Sequence, residues 1–204
     1  MQIIPSVLTN NTEEAIKLIN IAQSNQIKRV QIDIVDGVFA KNKTIYPEVL
    51  ASLEDLSLSL DIHLMVKNPQ AWIKKSMQIA NSDRIIGQIE FMYNQNEFIQ
   101  EILTGNIDAG LAVDLKTPIN DLDSKAIRAC SVILLMSVPA GFGGQSFDKS
   151  VYQKIEKLQD IRRLFKSNFK ICIDGGVKTE ILSELESFGV DEVVQGKSWF
   201  EKII

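Results

Sequence analysis

VQIDIVDG, residues 30–37, is the stretch on which the reading of the fold turns. Val30, Ile32 and Ile34 alternate with Gln31, Asp33 and Val35, the period of two that marks a strand. One face is wholly apolar. The other sets an amide and a carboxylate among apolar neighbours, and the fold must supply a reason for them.

The rest of the chain repeats the pattern. Short apolar runs stand at 2–7, 28–35, 59–65, 84–89, 108–113, 132–137, 169–173 and 191–195, with helix-like stretches between most of them. NTEEAIKLINIAQS offers Asn11 as N-cap with Glu14 three residues on, followed by Ala15, Ile16, Leu18, Ile19 and Ala22 on one side. SVYQKIEKLQDIRRLF places Val151, Ile155, Leu158, Ile161 and Leu164 at helical spacing. TEILSELESFG ends in Gly189, a candidate C′ residue. No linker or low-complexity tract divides the sequence. Eight strands alternating with helices in 204 residues predict an α/β chain folded as a single (β/α)8 barrel domain over 1–204. A doubly wound open sheet is the alternative, because periodicity does not prove closure.

Composition narrows the function. Hydrophobic residues make up 45 % and charged residues 24 %, with a net charge of −4. That balance excludes a broadly basic nucleic-acid surface. No apolar run approaches the ~20 residues that span a bilayer, and the N-terminus lacks the basic and long apolar regions of a signal peptide. Cys130 and Cys172 have no metal-type spacing and read as unpaired buried thiols, which fits a cytoplasmic protein.

In a barrel the outward strand faces pack on helices and are apolar, so the remaining residues point inward. Gln31, Asp33 and Val35 are then inward on the second strand, His63 and Met65 on the third, Cys172 and Asp174 on the seventh. Gln88 and Glu90 end the fourth strand and Asp114 the fifth. All these polar groups fall near the C-terminal ends of their strands, where barrels of this kind hold their active sites. One inward Asp alone could be a hydrogen-bonded structural group, and a lone His a satisfied core residue. Three at equivalent depths on three strands favour function. Buried carboxylates call for a compensating charge, and a divalent metal held by Asp33, His63 and Asp174 would supply it.

The glycines point to an anion. SVPAGFGGQSF (137–147) follows the sixth strand with Gly141, Gly143 and Gly144; Gly175 and Gly176 follow the seventh; Gly196 follows the eighth. Glycines there let backbone amides cradle a phosphate, so a phosphorylated small molecule is the expected substrate.

PSVL (5–8), DIVDGVFAKN (33–42), DIHLMV (61–66), LLMSVPAGFGGQSF (134–147) and IDGGV (173–177) stand in the order and spacing of the ribulose-phosphate 3-epimerase family, which the chain resembles over almost its whole length. The resemblance implies a ribulose-phosphate-binding-type TIM barrel and an isomerase of pentose phosphate metabolism. Such an enzyme interconverts ribulose 5-phosphate and xylulose 5-phosphate, or a related ketose phosphate, through a metal-stabilised enediolate. By resemblance Asp33 and Asp174 are the two acid/base residues, and these two with His63 are metal ligands. Ser6, His63, Met65 and Met136 lie by the substrate. Gly144, Gly175, Gly176 and Gly196 match the phosphate cradle, which Gly141, Gly143 and Lys197 are expected to extend. A homo-oligomer, and no nucleic-acid or membrane partner, are implied as well.

The departures are specific. Gln31 replaces a family His as fourth metal ligand, and Gln88 replaces a second His at the end of the fourth strand. Val35 replaces a Met, and Asp114 stands where Asn is usual. Pro139-Ala140 replaces Asn-Pro, and Lys197 a Ser. A glutamine carbonyl suits Mg or Mn better than Zn, which leaves the metal open among Mn, Mg, Fe and Zn. A non-catalytic phosphosugar-binding barrel is the alternative that Gln31, Gln88 and Lys197 raise. A related barrel lyase is disfavoured, since no Asp-x-Lys-x-x-Asp run ends a strand.

Overall fold

The structure is a computed structural model that describes residues 1–50, 53 and 56–203; residues 51, 52, 54, 55 and 204 of the expected domain lie outside the described residues. Eight strands run β1 (Gln2–Val7), β2 (Arg29–Val35), β3 (Ser59–Met65), β4 (Ser82–Gln88), β5 (Asp108–Val113), β6 (Val132–Met136), β7 (Lys170–Asp174) and β8 (Glu192–Gln195). Each pairs in parallel with the next, and β8 pairs with β1, so the sheet closes into a barrel. Closure removes the open-sheet alternative.

Among the described residues eight α-helices lie between and after the strands: α1 (Thr12–Ser24), α2 (Pro47–Leu50), α3 (Ile73–Met77), α4 (Gln95–Leu103), α5 (Ser124–Ala129), α6 (Val151–Phe165), α7 (Leu182–Ser187) and α8 (Lys197–Phe200). At the start of α1 the Asn11 side chain accepts from Glu14 N at 3.0 Å. The Glu14 carboxylate does not return to Asn11 as a capping box would have it; it takes the Thr9 hydroxyl, and Asn11 N donates to Thr9 Oγ1 instead. Gly189 follows α7 with φ +74°, the left-handed closing residue its position predicts.

The strand faces divide as the alternation requires. Val30, Ile32 and Ile34 join Ala15, Ile19 and Ala22 of α1 in the layer between barrel and helices. Val35, Met65, Ile86, Val132, Leu134, Met136, Cys172 and Val194 fill the barrel interior. At β4 the pattern blurs because Gly87 sits where the Phe98 ring of α4 packs; a Cβ there would meet Phe98 Cζ at 2.6 Å. Ile86 and Gln88 nonetheless point inward with Arg84. One expectation fails: Leu164 is 77 % exposed, since the face of α6 that meets the barrel runs from Val151 through Ile155 and Leu158 to Phe165, and Leu164 lies off it.

Closure also builds a buried ionic cluster deeper in the barrel. Arg84 Nη2 donates to Asp61 and to Glu192 Oε2 (2.8 Å), while Arg29 and Lys170 add partners to the same two carboxylates. Asp61 precedes His63 by two residues on the same face, so this cluster lies below the polar groups of the mouth.

Candidate active site

The register of the barrel sets the site. Asp33 of β2 pairs with His63 of β3, and Met136 of β6 pairs with Asp174 of β7, so each polar residue reaches the C-terminal rim at a matching depth. Local bonds fix the two strand ends. Thr44 Oγ1 donates to Asp33 O (2.7 Å) and accepts from Val35 N (2.8 Å). Ser137 N donates to Asp174 O at 2.7 Å, holding the end of β7 against the β6 loop.

Asp33 and Asp174 stand on strands separated by β1 and β8, yet their side chains converge. One donor atom from each of Asp33, His63 and Asp174 lies within 4.8 Å of the others. Gln31 stands among them: its Nε2 donates to Asp33 Oδ1 at 2.8 Å and to Asp174 Oδ2 at 2.7 Å. His63 Nδ1 is 3.0 Å from Asp33 Oδ1, and Gln88 Nε2 is 3.2 Å from His63 Nε2. His63, Gln31 and Gln88 are fully buried, whereas the Asp174 side chain keeps 14 % exposure toward the mouth. Burial pushes the Asp174 carboxyl up to about 7, with the Asp33 charge adding to the rise and His63 and Gln31 opposing it. Asp174 therefore keeps its proton to higher pH than an ordinary carboxyl.

The donor set fits a divalent cation in charge and in spacing. The Gln31 Oε1 atom points the same way, since it is buried and has no hydrogen-bond partner. As it stands the amide presents its N–H groups to the carboxylates. Turned over, it would present a carbonyl oxygen to a cation.

Above the carboxyls opens a cavity of about 690 Å³. Ser6, Asp33, Met65, Met136 and Asp174 line it, together with Gly141, Gly143, Gly144, Gly175, Gly176, Gly196 and Lys197. Every residue expected at the site faces this space except Gln31 and His63, which lie beneath it. The glycine positions are demanding. Gly176 has φ +60°, and a Cβ there would meet Phe147 N at 2.4 Å. Gly144 has φ +76° with nothing within 4 Å of a Cβ, so a side chain there would fill the cavity edge. Lys197 is 80 % exposed and its Nζ is 3.5 Å from Glu201 Oε1, so it sits on the rim with its charge paired.

Two polar residues predicted at strand ends do not join the cluster. Glu90 Oε1 accepts from Asp114 N at 2.7 Å, and Asp114 Oδ1 accepts from Ala140 N at 2.8 Å. Lys154 Nζ donates to Asp114 O and Thr117 O, at 2.6 and 2.7 Å. These bonds brace the glycine loop after β6. The sequence reading did not assign the roles of Lys154 and Asp114 in that brace, nor the contact of Gln88 with His63. The inward alternation of Ile86 and Gln88 was the available signal for the latter. Both thiols are buried and unpaired, and burial pushes Cys130 up to about 12 and Cys172 well above its ordinary value, which leaves neither suited to nucleophilic chemistry.

Known proteins resemble the chain in sequence and in fold. A family model described as the ribulose-phosphate 3 epimerase family matches residues 2–200. A ribulose-phosphate 3-epimerase of Escherichia coli K12 is 36 % identical over 178 residues, covering 85 % of this chain and 77 % of that one. Its counterpart from Aquifex aeolicus is 32 % identical, covering 82 % and 75 %. Among solved structures, a mutant tryptophan synthase α-subunit from Pyrococcus furiosus superposes with a TM-score of 0.70 at 15 % identity, covering 99 % of this chain and 89 % of that one, a likeness of fold alone. Among the described residues no helix is long and apolar enough to cross a membrane.

Proposed function

The chain belongs to the ribulose-phosphate 3-epimerase family and is a phosphosugar epimerase; on that footing we propose that it inverts C3 of ribulose 5-phosphate, or of a closely related ketose phosphate, with Asp33 and Asp174 as its two acid/base groups. The observation that carries this is the pair of carboxyls drawn together by Gln31 at the floor of a glycine-rimmed cavity.

Epimerisation next to a carbonyl removes the C3 proton from one face and returns a proton to the other. Asp33 takes the proton from C3. Asp174, whose carboxyl is held up near 7, donates its own to the opposite face. The C3–H electrons rest meanwhile in the enediolate over C2 and C3. The reaction ends with the proton on Asp33 and the charge on Asp174, and the reverse direction exchanges their roles. A divalent cation held by Asp33, His63 and Asp174 would polarise the C2 carbonyl and lower the cost of the enediolate; Mn, Mg, Fe and Zn all remain candidates. Met65 and Met136 supply an apolar wall that keeps water from the enediolate, and Ser6 offers a hydroxyl to the sugar. Backbone amides of Gly141, Gly143, Gly144, Gly175, Gly176 and Gly196 receive the phosphate, with Lys197 at the rim.

A non-catalytic phosphosugar-binding barrel is not favoured, since both carboxyls are kept and face one another. We take residues 1–204 as one barrel domain, acting in the cytoplasm on a small sugar phosphate and assembling as a homo-oligomer. The test is direct: ribulose 5-phosphate is incubated with the protein and each of the four metals in turn, and xylulose 5-phosphate is followed by NMR. Its formation with at least one metal supports the reading. No conversion of this or related ketose phosphates with any metal refutes it.

A further inference from the structure

Gln31 and Gln88 share an unusual feature: each is fully buried, each spends its amide nitrogen on the His63 cluster, and each leaves its Oε1 without a partner. Two orphaned amide oxygens around one histidine are costly if nothing ever uses them. They have a common explanation.

An amide N–H only donates. Gln88 Nε2 at 3.2 Å therefore donates to His63 Nε2, which must carry a lone pair. The ring proton then sits on Nδ1 and is donated to Asp33 Oδ1 at 3.0 Å. Gln31 spends both its N–H groups on Asp33 and Asp174. In this arrangement His63 Nδ1 carries the ring proton, and Asp33 Oδ1 and Asp174 Oδ2 accept hydrogen bonds in the space a cation would take.

Cation binding needs the opposite at each point. His63 Nδ1 must offer a lone pair, so the ring proton moves to Nε2. Nε2–H then needs an acceptor, and Gln88 supplies one if its amide turns to present Oε1. Gln31 must withdraw its N–H groups, and its Oε1 becomes a ligand once its amide turns. The two orphaned oxygens are the two atoms called into use. The proton count of His63 is the same in both arrangements.

We propose that Gln31 and Gln88 form a coupled amide switch, in which both side chains turn over and His63 exchanges tautomer when a divalent cation enters. Gln88 is then a positioning residue: it never touches the cation, yet it sets which nitrogen of His63 can. The proposal rests on the reading of Asp33, His63 and Asp174 as the cation site. It gives the two glutamines a role beyond that of weakened histidines, because the cation-free site is held together by hydrogen bonds and the cation must compete with them.

His63 is the only histidine in the chain, so two-bond ¹H–¹⁵N NMR reads its tautomer without ambiguity. The cation-free protein is expected to show the proton on Nδ1. Saturation with Mg²⁺ or Zn²⁺, both diamagnetic, is expected to move it to Nε2. Gln88→Glu, which only accepts, should place a proton on Nε2 before any cation is added and tighten cation binding about ten-fold by calorimetry. Gln88→Met should loosen it about ten-fold, the usual scale for a group behind a metal-ligating histidine. Any other ring state in the cation-free wild type, an unchanged tautomer on saturation, or Gln88 variants that bind as wild type does would overturn the switch. Epimerisation at C3 is measured separately, so a protein that turns over sugar without exchanging tautomer sinks the switch and leaves the reaction standing. Absence of cation binding likewise sinks it, and bears on the metal reading rather than on the two carboxyls.

Discussion

Gln31 Nε2 donates to Asp174 Oδ2 at 2.7 Å, joining residues 143 positions apart across the barrel mouth. The same nitrogen donates to Asp33, two residues away on its own strand. The side chain that departs most from the family pattern thus fills the space between the two carboxyls on which the chemistry depends.

Gln31→His should raise affinity for a divalent cation by roughly 10–100-fold, because imidazole replaces an amide that must first give up two hydrogen bonds. Calorimetric titration of wild type and variant measures it. An unchanged affinity would mean that Asp33, His63 and Asp174 are not arranged around a cation.

The raised Asp174 carboxyl predicts a pH dependence of stability. Its folded value, about 7, lies above the ordinary carboxylate range, chiefly through burial and then through the Asp33 charge. A raised carboxyl holds its proton more tightly in the folded chain. The stability it contributes is complete below the ordinary range and is lost as pH rises through about 7. Cation-free wild type should therefore lose stability between about pH 5 and about pH 8, by something on the order of 2–4 kcal/mol, while Asp174→Asn should show a flatter profile. Urea denaturation across that range measures both. Parallel profiles would contradict the assignment.

The two cradle glycines should respond differently to alanine. At Gly176 a Cβ collides with backbone, 2.4 Å from Phe147 N and 2.7 Å from Gln145 O. Gly176→Ala should displace the loop after β6, destabilise the fold by about 1–3 kcal/mol and weaken binding of inorganic phosphate. Gly144→Ala meets open space and carries only the left-handed backbone penalty, about 1–2 kcal/mol. Thermal unfolding with calorimetry in phosphate ranks them. A milder effect at Gly176 than at Gly144 would contradict the packing described.

Arg84 is 3 % exposed between Asp61 and Glu192. Arg84→Met leaves two buried carboxylates short of a partner and should cost about 3–5 kcal/mol, while the folded fraction keeps its turnover because the cluster lies below the mouth. A variant as stable as wild type would show that Arg29 and Lys170 compensate fully.

Much of this was legible in the sequence, for an identifiable reason. A barrel strand obeys a period of two, so VQIDIVDG and LDIHLM declare their inward residues, and equal depth brings Asp33, His63 and Asp174 to one rim. What was hidden depends on closure. Nothing local tells Gln31 that Asp174 is its neighbour, because that bond exists only once β8 pairs with β1. Asp61 alternates onto the inward face with His63, but nothing local pairs it with Arg84 and Glu192, which meet it only once three strands share one interior. Leu164 misled for a local reason: it is apolar and near the helical stripe, but in the last turn of α6 the neighbouring Phe165 takes the core-facing position.

The central claim, that Asp33 and Asp174 act on opposite faces of C3, is tested most directly by ribulose 5-phosphate in deuterated water with wild type, Asp33→Asn and Asp174→Asn. Wild type should place deuterium at C3 of both epimers. Each variant should lose epimerisation by at least about 10²-fold, the scale of a lost acid/base group, and each should retain C3 exchange in at most one epimer, a different one for each variant. Epimerisation at near wild-type rates in either variant, or exchange at C3 of both epimers in both, would contradict the account.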